Sequence, residues 1–173
     1  LAYDDVVQTA GMTVVAAPAP AASELTISSL NVLNFFPPNP VNPAQVAAFE
    51  NRLAKLSLGI RTVLRSPDIL GLIEVGDINV LRQLRDRINA DAGTSYEAYL
   101  LESDEDTEND QDIGFLVNLA RVTVTSEPVH LFRNATFEQC GVTDVLFDRP
   151  PFVLEASFHG TPVTVILNHL RSL

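Results

Sequence analysis

Four residues able to do chemistry, Asn31, Glu74, Arg149 and His169, each fall at or near the end of a strand-like run: LNVL, GLIEV, DRPP and VILNHLRS. That is the position from which side chains of an α/β sheet reach a common cleft. Their types are complementary. An amide orients its neighbours by hydrogen bonding, a carboxylate suits a hard cation, a guanidinium fork suits an oxyanion, and an imidazole titrates near neutrality. Taken singly, each has a structural explanation: Asn31 bonding a turn, Glu74 facing solvent, Arg149 pairing with Asp148, His169 closing a strand.

The elements that must position them are legible in the pattern. Leu25, Ile27 and Leu30 to Leu33 predict a first strand in LTISSLNVL, stopped by the turn-rich stretch from Pro37 to Pro43. Asn42 caps and Pro43 opens a helix in which Val46, Phe49, Leu53, Leu56, Ile60 and Val63 recur at helical spacing, ending at Ser66-Pro67. ILGLIEV, Ile69 to Val75, predicts a strand buried on both faces, and Val80, Leu81, Leu84 and Ile88 a second helix. Short strands follow at Tyr96–Leu101, Ile113–Val117, Val122–Thr125, Phe152–Phe158 and Val163–Leu167. The mixture predicts an α/β (α+β) chain with one mixed sheet covered by helices on one face. Residues 1–15 read as the tail of an upstream module or an N-terminal arm, 16–23 (AAPAPAAS) as an Ala/Pro linker, and 24–173 as one domain region. The acidic tract Glu102 to Asp112 lacks the central Gly and closing Glu of a calcium-binding EF-hand loop and reads as a solvated loop.

Composition narrows the classes. The 173 residues are 46% hydrophobic and 19% charged, an ordinary globular balance without the run of about 20 apolar residues that a membrane span requires. Acidic residues outnumber basic ones 22 to 11, so the long-range field of a chain with net charge -11 repels a phosphate backbone. Binding to nucleic acid would rest on local arginines or bound cations, Lys55 being the sole lysine. Cys140 stands alone, which excludes a disulfide within the chain and a cysteine zinc cluster. The start at Leu1, without an initiator Met or a signal pattern, reads as a cut.

In their order and flanking residues these segments resemble the endonuclease/exonuclease/phosphatase superfamily. LNVLNFF looks like its first motif and PDILGLIEV like its second, with Ile73 where Gln is usual, as in the secreted bacterial nuclease branch. QDIGFLVN, FDRPPFVLEA and TVILNHLRSL resemble that branch over Leu25 to Leu173. The resemblance implies a four-layer α/β sandwich of which this chain is about the first half. It implies that Glu74, with Asn31, holds a catalytic Mg2+, with Mn2+ or Ca2+ as substitutes. It implies that Arg149 and Asn168 contact substrate and that His169 donates a hydrogen bond or proton to the phosphate. Asp112, or equally Asp110, would orient His169 and raise its pKa.

The family's later motifs, a Gly-Asp-Phe-Asn-like run, a further Asp and a terminal Ser-Asp-His, do not occur before Leu173, and Asn118 and Leu119 replace its aromatic-plus-basic pair. This piece alone is therefore expected to be inactive, with an exposed apolar inner face that awaits the missing C-terminal half. The implied activity of the whole protein is divalent-metal-dependent phosphodiester hydrolysis by an extracellular nuclease acting on DNA or RNA. The alternatives are a phosphomonoesterase or lipid phosphodiesterase of the same superfamily, or a non-catalytic binding module on its scaffold.

Overall fold

A computed structural model of the chain describes residues 14–102, 111–147 and 149–170. The elements run β1 (Ile27–Phe35), α1 (Pro43–Thr62), β2 (Ile69–Val75), α2 (Ile78–Ala92), β3 (Tyr96–Leu100), β4 (Asp112–Asn118), β5 (Thr123–Val124), β6 (Val129–His130), β7 (Thr136–Gln139), β8 (Val142–Val145), β9 (Phe152–Phe158) and β10 (Thr161–Leu167). Most of the acidic tract, Asp110 included, and most of the N-terminal segment lie outside the described residues.

The first sheet has the order β1-β2-β4-β3, parallel between β1 and β2 and antiparallel elsewhere. This is the expected mixed sheet with helices on one face. The Asn42 side chain caps α1 by accepting from the amides of Ala44 and Gln45. Asp77 caps α2 through Val80 N–H at 2.7 Å, and Gly93, at φ 65°, ends it in the left-handed region that glycine adopts without strain. α1 stops at Thr62, short of the expected Ser66-Pro67 boundary, because Arg65 and Ser66 take positive φ and turn the chain into β2. Phe49, Leu53 and Ile60 of α1, with Val80, Leu81, Leu84 and Ile88 of α2, close over Leu70, Leu72 and Leu116 of the sheet.

The later strands do not extend that sheet. β10, β9 and β5 form a second, antiparallel sheet, with β6 also paired to β9. The reason lies in burial: β4 is apolar on both faces, and helices can cover only one of them. Ile69, Ile113, Phe115 and Val117 on the other face meet Phe152, Leu154, Ala156 and Phe158, the alternate residues of β9, together with Leu167. Phe115 and Phe152 stack with ring centroids 5.5 Å apart. The expectation of an exposed inner face is thus corrected. Ile69 and Phe115 are fully buried, although Ile27 on β1, opposite Ile69, stays 49% exposed.

A separate hairpin, β7–β8, projects from the connection between β6 and β9. Its two-residue turn, Cys140-Gly141, has positive φ at both positions (54° and 78°), as the tight hairpin turn matching strand twist requires. The Ala/Pro segment lies against the body: Ala17 N–H donates to Val63 O at 2.8 Å, and Arg121 Nη2 donates to the carbonyls of Ala22 and Glu24. Among the described residues, no helix is long and apolar enough to cross a membrane.

Candidate active site

The site is built where β1 and β2 lose their register together. Ile73 pairs with Ile113 and Val75 with the adjacent Asp112, which leaves Glu74 as an extra residue without a partner on β4. On the other side Asn31 pairs with Ile73 and Phe35 with Val75, so Val32, Leu33 and Asn34 stand opposite Glu74 alone. Such bulges re-aim a side chain out of the sheet. Glu74 does so at φ 68°, and Leu33 and Asn34 are also left-handed at 53° and 54°. Backbone of this kind persists only where its surroundings hold it. Here Arg52 of α1 does the holding: its guanidinium donates to the carbonyls of Val32, Leu33 and Asn34 and lies 5.5 Å from the centre of the Phe35 ring.

The Glu74 carboxylate is fixed at both oxygens. Asn31 Nδ2 donates to Oε1 at 2.8 Å, and Asn34 N–H donates to Oε2 at 3.0 Å. His169, just beyond β10, brings Nε2 to 3.6 Å from Glu74 Oε1, too far for a hydrogen bond but close enough for electrostatic contact. Arg149 Nη2 donates to Gln111 Oε1 at 2.7 Å, and Gln111 Nε2 donates to Asn34 Oδ1. A continuous path from Glu74 through Asn34 and Gln111 to Arg149 thus spans the two sheets. Arg149 and His169 line one cavity with the β7–β8 hairpin.

Asn31, Glu74, Arg149 and His169 therefore meet, although 138 positions separate the first from the last. Asn168 is exposed directly after β10, and Asp112 is buried at the start of β4, opposite Val75. Asn34 and Gln111 were missed in the sequence. Asn34 lies within the first motif, LNVLNFF, and Gln111 sits inside the acidic tract, and neither position carries a signal of its own.

One electrostatic expectation is reversed. His169 titrates below its ordinary value of 6.5, because burial disfavours its charged form and the Arg149 cation repels it, outweighing Glu74 and the Gln111 backbone. The resemblance to a pair oriented by Asp112 implied a raised value. The carboxylate beside the ring is Glu74, and at neutral pH the ring is neutral, presenting one N–H donor and one acceptor nitrogen.

The donor set bears on a metal. Among the described residues no three His, Cys, Asp or Glu side chains converge. Mg2+ does not need such a cage, since it keeps several waters and is commonly held by one or two carboxylates and substrate phosphate. Glu74 fits that role. Asn31 turns its amide nitrogen to Glu74 and its oxygen to Leu33 N–H at 2.8 Å, so it offers an ion only the remaining lone pair of that oxygen.

No protein-family model matches the sequence, and no curated protein matches it. Solved structures do. TDP2 of D. rerio complexed with single strand DNA product superposes with a TM-score of 0.54 at 19% identity, covering 86% of this chain and 47% of that one. A humanized D. rerio TDP2 gives 0.51 at 17% identity over 86% and 48%, and TDP2 from C. elegans gives 0.50 at 20% identity over 86% and 36%. The chain spans just under half the length of the D. rerio structures. At these identities the likeness shows the fold, which is of the endonuclease/exonuclease/phosphatase sandwich type.

Proposed function

We propose that this chain carries the metal- and phosphate-binding side of a divalent-metal-dependent phosphodiesterase acting on DNA or RNA. The observation that carries the reading is the placement of Glu74: one carboxylate held out of the sheet at a strained bulge, gripped by Asn31 and Asn34, with His169 and Arg149 beside it. A strand end that served only packing would not keep an unpaired residue in the left-handed region. The sandwich fold supports the reading, and one structure sharing it holds a single strand DNA product.

In this site Glu74 would hold Mg2+, with Mn2+ or Ca2+ able to substitute, and Asn31 would fix the carboxylate. The bound ion would supply positive charge at the phosphate. Arg149 directs its fork to a phosphate oxygen, with Gln111 setting its angle. Asn168, exposed at the rim, contacts the substrate backbone. His169, neutral at pH 7, donates its N–H to the phosphate or leaving oxygen. Asp112 steadies the strand beneath Glu74. The protein works outside the cell as secreted bacterial nucleases do.

The test is Mg2+-dependent cleavage of plasmid DNA and of RNA by the full-length protein, beside Glu74→Ala and His169→Ala. Cleavage lost in both variants supports the reading. A protein inert on both polymers but active on a phosphomonoester or a lipid phosphodiester overturns the substrate, and one inert on all four overturns the hydrolase.

A further inference from the structure

The β7–β8 hairpin closes a cavity of about 260 Å³ whose walls include Phe137, Asp144, Leu146, Phe147, Arg149 and His169. The hairpin register places Phe137 directly opposite Asp144, so an aromatic ring and a carboxylate stand side by side on one hairpin face. Phe137 is 39% exposed, which leaves ring surface available for stacking. Phe147 contacts Phe132, the ring centroids 6.2 Å apart. Arg149 and His169, the proposed phosphate site, line the same cavity. The cavity thus offers an aromatic face and a hydrogen-bond acceptor together with that site.

That chemistry selects its occupant. A second phosphate is repelled by Asp144. An acyl chain gains nothing from a carboxylate in the wall and loses by desolvating it. A flat aromatic ring with N–H donors satisfies both groups, since bases stack on aromatic side chains irrespective of sequence and a carboxylate accepts from the exocyclic amine of cytosine. We infer that this cavity seats one nucleobase adjoining the scissile phosphate and favours a base with an exocyclic amine. The inference rests on the nuclease reading for the scissile bond, and on the hairpin geometry for the base.

Two measurements on the full-length protein keep the two apart. The first is equilibrium binding, without divalent ion, of deoxycytidine monophosphate, thymidine monophosphate and deoxyribose 5-phosphate. Deoxycytidine monophosphate should bind about tenfold or more tighter than the base-free sugar phosphate. Phe137→Ala should bring the two close together, and Asp144→Asn should narrow the preference for deoxycytidine over thymidine monophosphate. Both positions are exposed, and matching thermal unfolding curves would show the variants folded. The second is cleavage of oligonucleotides lacking one base on either side of the cut bond, where removing the seated base should lower kcat/KM about tenfold through KM, and Phe137→Ala should move the intact-to-abasic ratio toward one. Base-dependent binding without any cleavage would sink the nuclease reading and leave the pocket standing. Equal binding of nucleotide and sugar phosphate, or cleavage indifferent to the missing base, would overturn the pocket.

Discussion

Asn31 Nδ2 and Glu74 Oε1 meet at 2.8 Å across two parallel strands, joining residues 43 positions apart at the level where both strands leave their register. The contact is exposed, so it adds little to stability. Its effect is to hold a carboxylate in one orientation on backbone that would otherwise relax.

Glu74→Gly separates that role from a structural one. Glycine relieves a left-handed φ that costs a non-glycine residue about 1 kcal/mol or more, against about 0.5–1 kcal/mol for its greater freedom when unfolded. The urea midpoint should therefore stay close to that of the wild type while activity is lost. Asn31→Ala should cost about 10- to 100-fold in activity or Mg2+ affinity, as groups that orient a metal ligand do. A large drop in stability for Glu74→Gly would instead make Glu74 a brace.

His169 gives a pH test, read by its ring NMR signals in metal-free buffer. Arg149→Gln should raise its pKa by removing a repelling cation, and Glu74→Gln should lower it further by removing the opposing carboxylate. Because folding lowers the value from 6.5, the folded chain binds fewer protons than the unfolded chain just below that pH. The stability linked to His169 is full above pH 6.5 and falls as the pH drops toward the folded value. Comparing His169→Gln with the wild type by chemical denaturation at pH 7.5 and 5.5 should show the variant losing less stability on acidification. An equal loss would remove His169 from the balance.

Gly71 and Leu167 set the spacing of the sheets. A Cβ at position 71 would fall 2.7 Å from Leu167 Cδ1, so Gly71→Ala should destabilise by about 1–3 kcal/mol through overpacking. Leu167→Ala opens the space it needs, and the pair should show a favourable coupling in a double-mutant cycle. Additive losses would mean that the sheets do not meet there.

Phe115→Ala tests whether the two sheets are one cooperative unit. The Phe115 ring is fully buried and stacks on Phe152, so its removal should cost about 3–5 kcal/mol and lower the thermal midpoint of both sheets together. Two separate transitions would show that β9 and β10 fold on their own.

Much of this was legible because burial writes itself into period. The alternation of Phe152, Leu154, Ala156 and Phe158 gave β9 to the residue, and ILGLIEV gave β2 to the residue. β6 was not legible because it is two residues long. β7 was not, because its four positions are all exposed and show no apolar alternation, and Cys140 is an unusual partner for Gly141 in a tight turn. The same strand signals that placed β9 and β10 said nothing about which sheet they join. A period of two reports that a strand has a buried face, and it leaves open what that face is buried against.

For the site, the sequence by itself determined which side chains were available, because residue type is a local fact; it misplaced Asn31, which lies in the middle of β1, and Arg149, which lies in the connection between β8 and β9. Only the tertiary structure decided the bulge that turns Glu74 outward, the path through Asn34 and Gln111 to Arg149, and the lowering of the His169 pKa. Each of these depends on distances between residues far apart in the chain, and electrostatic and hydrogen-bond energies are functions of those distances and of burial.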